Sequence, residues 1–451
     1  MEHLTEARQP EKTRKESMLL NVGPAHPAMH GIVRIVAELD GETVVSSDVE
    51  IGYLHRAFEK SAEQGGYLQV IPYTDRLNYV SPLINNVGYC MAVEKLFDLK
   101  VTDRAQYIRV IVSELSRVTD HLTCVGATSM EMGAFTAFLY MIKAREWIYQ
   151  LIEEITGARL TISYCRIGGV KGDLPENFNQ RCREILRETR GVLKECDSLL
   201  TKNRIFVDRM KDIGRISKEQ ALAYGITGPF LRSTGCDYDV RRAFPYLVYD
   251  RFDFEIPVGT TGDNYDRYLC RMEEAEQSMR IVEQALDQIP GGPVLLDTEG
   301  REVPAEYLID ESKMGRTGGH CGVAAQFDPT LGGNNKEIYP EIQAPNKRVV
   351  LPAKEDTYGN IEGLMNHFKG IMMGHGIRPP RGEAYFPVEG ANGELGFYAV
   401  SDGTDRPCRV RVRPPCFVIM AALPEMLNGY TVADIIPTFG SVNMIGGELD
   451  R

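Results

Sequence analysis

Apolar residues recur at alternating steps of four and three along one stretch of this chain. They are Tyr268, Met272, Ala275, Met279, Val282, Leu286 and Ile289, and the pattern stops at Pro290-Gly291-Gly292. That spacing draws one stripe down an α-helix about three heptads long. A stripe this short packs inside a protein rather than forming a free coiled coil, so it calls for other helices around it. Three further segments supply them. In Arg104 to Val125 the residues Ile108, Ile111, Leu115, Val118, Leu122 and Val125 keep helical spacing, with Thr102 or Asp103 available as a cap. Phe135 to Ile155 reads as a second long helix stopped at Gly157. Glu176 to Leu200 reads as a third, entered through Asp173-Leu174-Pro175. Residues 54–290 are therefore expected to form a packed helical bundle.

The flanks carry a different pattern. Residues 1–17 are polar and read as a mobile tail. Met18 to Val22, Ile32 to Leu39 and Val44 to Ile51 are β-rich, and Asp40-Gly41 is a hairpin turn, so residues 18–53 make a small N-terminal sheet. Residues 291–355 are rich in Gly, Pro and Asn and form a long excursion. In the last stretch, 356–451, the residues Ile361, Leu364, Met365, Phe368, Ile371 and Met372 mark a helix closed by Gly374. Leu395 to Val400 and Arg409 to Arg413 read as paired strands across a Ser-Asp-Gly turn, and Pro437 to Arg451 as Gly-rich and irregular. The fold class is α+β, a central helical bundle with small sheets at either end.

Several function classes drop out. The apolar runs Gly133 to Ile142 and Phe417 to Leu423 are far short of the about 18 residues that a membrane helix needs. Met1 to Lys15 has no apolar signal core, which places the protein on the cytoplasmic side. A net charge of −12 argues against nucleic acid as partner. The ten cysteines never approach a CxxC spacing, so they are expected to be buried reduced thiols without a disulfide framework or a metal site. Neither GxGxxG nor GxxxxGK[ST] occurs, so the chain itself should bind neither NADH nor ATP.

Three segments could carry chemistry. Gly23-Pro-Ala-His-Pro-Ala-Met-His-Gly31 holds two imidazoles on a stiff loop between strands. Tyr73-Thr-Asp-Arg-Leu-Asn-Tyr79 sets Arg76 and Tyr79 three residues apart, on one face if helical. Glu131 lies between methionines, where a carboxylate is costly to bury without a partner, although most such glutamates are solvated at a helix end. Taken singly, none of these selects a function.

The motifs together do. Asn21-Val-Gly-Pro-Ala-His-Pro-Ala-Met-His-Gly31, Ile51-Gly-Tyr-Leu-His-Arg-Ala-Phe-Glu-Lys60, Tyr164-Cys-Arg-Ile-Gly-Gly-Val170, Tyr238-Asp-Val-Arg-Arg242, Gly393-Glu-Leu-Gly-Phe397 and Gly446-Gly-Glu-Leu-Asp-Arg451 resemble, in order from about residue 18 to the end, the 49-kDa (D-subunit) family of respiratory complex I, the proton-pumping NADH:quinone oxidoreductase. The resemblance implies a fold related to the large subunit of nickel–iron hydrogenases. There, two CxxC pairs hold the metals. The corresponding neighbourhoods here, Arg76 to Tyr79 and Ser441 to Gly446, contain no cysteine, so no nickel–iron site is expected and the emptied cavity is where a quinone headgroup goes.

By the same resemblance, His30 and Tyr79 hydrogen-bond the two quinone carbonyls. Glu131 stands where the family usually has aspartate, the partner of that histidine, and Arg56 lies beside the last iron–sulfur cluster, held by a neighbouring subunit. The chain would bind no cofactor of its own. Its partners would be the iron–sulfur (B) subunit, the C subunit and the membrane-embedded H subunit, on the cytoplasmic side of the bacterial plasma membrane, and the isolated chain would be inactive. An imidazolium and a phenol suit a quinone, whose two-electron reduction must be matched by two protons. Two departures stand out. Glu131 adds a methylene to the usual aspartate. Thr161 replaces a histidine thought to couple cluster reduction to protonation; threonine cannot titrate, which points to a lower-potential acceptor such as menaquinone. The competing assignments are an energy-converting hydrogenase large subunit, against which the missing cysteines argue, and a scaffold protein without quinone contact.

Overall fold

The computed structural model describes residues 17–296, 350–352, 354–372, 374 and 376–451, so most of the expected 291–355 excursion and nearly all of the 1–17 tail lie outside the described residues. Strands β1 (Met18–Val22), β2 (Arg34–Asp40) and β3 (Thr43–Glu50) form an antiparallel sheet in that order. Helices α1 (Phe58–Gln64), α2 (Tyr67–Thr74), α3 (Pro82–Phe97), α4 (Asp103–Glu131) and α5 (Phe135–Thr156) follow. After a two-stranded ribbon, β4 (Cys165–Arg166) and β5 (Gly169–Val170), come α6 (Phe178–Leu200), α7 (Arg204–Met210), α8 (Lys218–Tyr224), α9 (Gly228–Ser233), α10 (Val240–Ala243) and α11 (Asn264–Gln288). The C-terminal part holds α12 (Lys354–Gly359), α13 (Ile361–Ile371), the antiparallel sheet β6 (Gly382–Gly390), β7 (Gly393–Ser401) and β8 (Arg409–Arg413), then α14 (Pro415–Leu427), α15 (Val432–Val442) and α16 (Gly446–Asp450).

Helix α4 is the axis of the bundle. It runs along α5 and α11 and also touches α3 and α15. The periodic residues of α11 do what their spacing requires: Ala275, Met279, Val282 and Leu286 are buried. Gly157 ends α5 in the left-handed region that glycine tolerates, at φ +85°. Thr102 occupies the N-cap of α4, but its side chain does not cap.

A central helix buried on nearly all sides must also bury the charges it carries. In the middle of the bundle Arg117, Arg232 and Arg241 meet Glu114, Asp239, Glu274 and Glu389, all with no exposed side-chain surface. Arg232 reaches Glu389 and Glu274 at 2.8 Å each, and Arg241 reaches Asp239 at 2.7 Å. Arg117 donates to the Glu389 and Gly390 carbonyls, fastening the β6–β7 turn to α4. Buried charges persist only when paired and hydrogen-bonded in this way.

The end regions differ from the sequence reading in three respects. Pro437 to Arg451 is not irregular, because it holds most of α15 and all of α16. Packing overrides the poor helix propensity of Pro437, since Ile435, Phe439 and Val442 are buried. A capping box, in which Asp434 accepts from the Thr431 N–H and hydroxyl, sets the start of α15. Strand β6 is an additional partner of β7, joined to it by a tight turn at Ala391-Asn392. Cys408 is disulfide-bonded, against the expectation of reduced thiols; that expectation rested on compartment and spacing, whereas a disulfide needs only that the fold bring two sulfurs together. The other eight described cysteines are free, and all but Cys236 are buried.

The N-terminal sheet shares a core with the C-terminal helices: Val33, Ile35, Ala37 and Val44 pack with Met420, Leu423, Phe439 and Val442. Val44 also exchanges backbone hydrogen bonds with Tyr430 and Gly429. That docking brings the 23–31 loop to the C-terminal end of α4.

Candidate functional site

The loop between β1 and β2 is held by a short turn of 3-10 helix at Pro27–Met29, where His26 Nδ1 accepts from the Ala28 N–H. The turn closes on His30 in the left-handed region, at φ +55°, which turns the ring out of the loop. His30 Nε2 lies 3.4 Å from Glu131 Oε1, and its ring meets Phe439 edge-on at 6.2 Å. Glu131 ends α4, as a solvated glutamate would, but its carboxylate is only 7% exposed. Its second oxygen is buried with no partner among the described residues. Helix α15 comes close enough there that only glycine fits at position 440: a Cβ would sit 2.5 Å from Glu131 Oε2.

Tyr79 lies in the bend between α2 and α3, so it and Arg76 do not share a helix face as a helical reading required. The bend is pinned from α3. Asn85 Nδ2 donates to the Thr74 and Asn78 carbonyls, and Asn86 Nδ2 donates to Thr74 Oγ1 and Asp75 Oδ1. Tyr79 is 41% exposed. Desolvation, then the charge of Asp120, still raise its phenol above the ordinary value. Beneath it, Asp120 of α4 accepts from Asn78 Nδ2 at 3.0 Å, Ser81 Oγ at 2.7 Å and Asn443 Nδ2 at 2.7 Å.

The C-terminal segment joins these parts. Gly447 passes so close to the Arg76 and Leu77 carbonyls that a Cβ would lie 2.3 Å and 2.6 Å from them. Arg56 Nη2 donates to the same Arg76 carbonyl at 2.9 Å. Asp450 accepts from the Gly52 and Leu54 N–H groups at 2.9 Å and 2.7 Å, and His55 Nδ1 donates to its carbonyl. Glu448, buried, accepts from the Cys416 N–H at 3.0 Å. Burial pushes Glu448 up to about 7, with Asp120 adding to the rise, and pushes the Cys416 thiol well up, so that sulfur stays protonated.

The Arg76–Tyr79 and Ser441–Gly446 neighbourhoods are thus brought together by Asn78, Asp120 and Asn443, which are oxygen and amide groups. Asp239, Glu274 and Glu389 converge as a metal site would, but the guanidiniums of Arg232 and Arg241 already balance them. Thr161 is exposed in the loop after α5, at φ +52°, and two residues on Ser163 donates to the buried Asp75 at 2.5 Å.

The sequence reading named His30, Tyr79, Glu131 and Arg56, and the fold places His30 against Glu131 and Arg56 against the Tyr79 bend. It missed Asp120, Glu448 and Asp450. Their one local signal was Asp120, a carboxylate within an otherwise well-patterned buried helix.

Comparison with known proteins gives one answer. Residues 131–451 match the model of the respiratory-chain NADH dehydrogenase 49 kDa subunit. A D subunit of the NADH-quinone oxidoreductase of Sorangium cellulosum is 50% identical over 97% of this chain and 96% of its own length. The corresponding D subunit of Myxococcus xanthus is 49% identical over 96% of this chain and 92% of its own. A Bdellovibrio bacteriovorus protein described as a combined C/D subunit is 46% identical over 96% of this chain, which spans 68% of that longer protein.

Proposed function

Because the chain belongs to the 49 kDa (D-subunit) family of NADH-quinone oxidoreductase, respiratory complex I, we propose that His30 and Tyr79 receive the quinone headgroup and supply its protons. The chain is one component of an oxidoreductase complex, and the proposal concerns its share of the reaction. The observation that carries it is His30, held 3.4 Å from a nearly buried carboxylate that has one oxygen without a partner among the described residues. A carboxylate so placed orients the imidazole, whose ring N–H is the proton to be given to a quinone oxygen. Tyr79 is the second donor, on a bend fixed by Asn85 and Asn86. Electrons reach the quinone from outside this chain, and both carbonyl oxygens gain negative charge that the two donors neutralise.

In this reading Arg56 faces an iron–sulfur cluster of the neighbouring B subunit. The fusion of C and D subunits in a relative supports contact with the C subunit. The membrane-embedded H subunit is a further partner in this reading, and the loss of the two donated protons triggers proton pumping. No helix among the described residues is long and apolar enough to cross a membrane, and a peripheral place on the cytoplasmic face is part of the same proposal. The test is quinone reduction by the assembled complex. His30→Ala and Tyr79→Phe should each lower the rate on the order of 100-fold while NADH oxidation by an artificial acceptor upstream stays intact. Full quinone reductase activity in both variants would overturn the reading.

A further inference from the structure

Helix α11 carries two arginines about one turn apart, Arg267 and Arg271, and both are buried, at 0% and 2% exposure. Elsewhere in the bundle buried guanidiniums are met by carboxylates, as Arg232 and Arg241 are. Among the described residues these two form no ion pair. Arg267 gives its Nη groups to neutral acceptors: Asn264 Oδ1 at 2.9 Å, Ser441 Oγ at 3.1 Å, and the Gly214 and Gly262 carbonyls at 2.7 Å and 2.9 Å. Arg271 has less, since its Nε and Nη2 are buried with no partner among the described residues. Arg271 borders a cavity of about 10 Å³, enclosed by α4, α7, α11 and α15, which is about the room of one water-sized body. Cys124, Thr128, Asn264, Tyr268 and Ser441 complete its polar wall, and no described carboxylate borders it.

We propose that this cavity is a site for one small monatomic anion of the chloride class, held by Arg271 Nε and Nη2 and balancing the two guanidiniums of α11. A guanidinium left unpaired in a dry site is costly, and the carboxylates nearby are engaged elsewhere. Asp263 accepts from the Asp212 and Asp266 N–H groups, and Asp266 accepts from those of Thr260 and Thr261. On α4, Asp120 is held by Asn78, Ser81 and Asn443, and Glu131 Oε1 faces His30. A water in the cavity would accept from Arg271 but leave both charges uncompensated, whereas an anion answers both needs. The cavity is too small for a carboxylate or a phosphate. Burial pushes the Cys124 thiol up to about 11, so the sulfur on the wall stays protonated and does not supply the negative charge itself. The site has a structural consequence. Thr128, on the wall, donates to the Gly440 carbonyl at 3.0 Å, and Ser441 is the next residue on α15. A bound ion therefore ties α11 to the α4–α15 joint that ends at Glu131. The inference stands independently of the quinone-site reading.

The experiment replaces chloride by bromide in crystals of the assembled complex and collects diffraction at the bromine absorption edge. An anomalous peak should appear within hydrogen-bonding reach of Arg271 Nε and Nη2, and it should be missing in Arg271→Gln. In solution, exchanging chloride for gluconate, which is too large for the cavity, at constant ionic strength should lower the melting temperature of the full chain by about 2 to 4 °C. Bromide should restore it, and Arg271→Gln should show no dependence on the anion. Density at the site without anomalous signal would mean a neutral water and overturns the proposal. A bromide peak in the crystal with no effect of anion identity on melting would mean binding at crystal concentration only, and overturns it too. Both wild-type measurements decide the matter even where Arg271→Gln fails to fold.

Discussion

Replacing Gly440 by alanine should leave the fold nearly untouched and yet disconnect His30. Gly440 lies inside α15, where the exchange favours the helix by about 1 kcal/mol. The new Cβ would stand 2.5 Å from Glu131 Oε2 and 3.4 Å from Thr128 Oγ1. Relief requires the carboxylate to retreat by about 1 Å to reach ordinary contact distance. The His30–Glu131 contact already spans 3.4 Å, so that retreat ends it. With the imidazole 43% exposed, the contact contributes at most about 1 kcal/mol to stability. Gain and loss nearly cancel, and the melting temperature of the full chain should move by less than about 4 °C. The rate should not be spared, because misplacing a positioning group by about 1 Å costs up to about 100-fold. Quinone reduction by the assembled complex should therefore fall roughly 10- to 100-fold, and Glu131→Gln should add little to Gly440→Ala, since both break one link. Two results refute the reasoning: an unchanged rate in Gly440→Ala, or losses that add fully in the double variant.

Two further outcomes follow from the same region. Asp450→Ala removes the acceptor of the Gly52 and Leu54 N–H groups, so hydrogen exchange at those two amides should speed by about tenfold or more while exchange in α4 and α11 is unchanged. Glu448 also makes stability depend on pH. Its folded-state value, about 7, is above the ordinary 4.5, so the folded state binds the proton more tightly than the unfolded chain does. That contribution is complete below pH about 4.5 and is lost as pH rises through about 7, an amount on the order of 3 kcal/mol. Urea unfolding of the full chain should show the decline, and Glu448→Gln should flatten it.

The helical bundle was legible because its elements are long and their stripes regular; α11 ends at the residues its pattern indicated. The small sheets were legible wherever alternation met a turn signal, as at Asp40-Gly41. What escaped were short elements whose stability is tertiary. Helix α15 contains Pro437, and its case rests on Phe439 and Val442 being covered by the 23–31 loop and α4, which no local pattern displays. The site was legible only as a set of motifs. His30 and Glu131 are 101 residues apart in sequence, and nothing between them says that they meet. Asp120 and Glu448 are further apart, and what brings them to one region is α15 packing onto α4 and α16 packing onto α14.

That folding back explains why so much of the site answers to one short segment. Phe439 meets His30, Gly440 admits Glu131, Asn443 holds Asp120, Gly447 lies on the Arg76 carbonyl, Glu448 meets Cys416, and Asp450 ties down residues 52–55. The contacts join this segment to the 23–31 loop, α4, the Tyr79 bend, α14 and residues 52–55, adding to the direct contacts some of those parts make with one another. The two glycines mark where the approach is closest. At Gly440 the obstacle is a movable carboxylate, so alanine shifts function before fold. At Gly447 the obstacles are two backbone carbonyls that cannot swing aside, so alanine there must displace the Tyr79 bend or the segment itself. A rigid bend and a yielding carboxylate suit their proposed tasks: the phenol is held at a fixed point, while the carboxylate beside His30 can follow the ring as a headgroup binds.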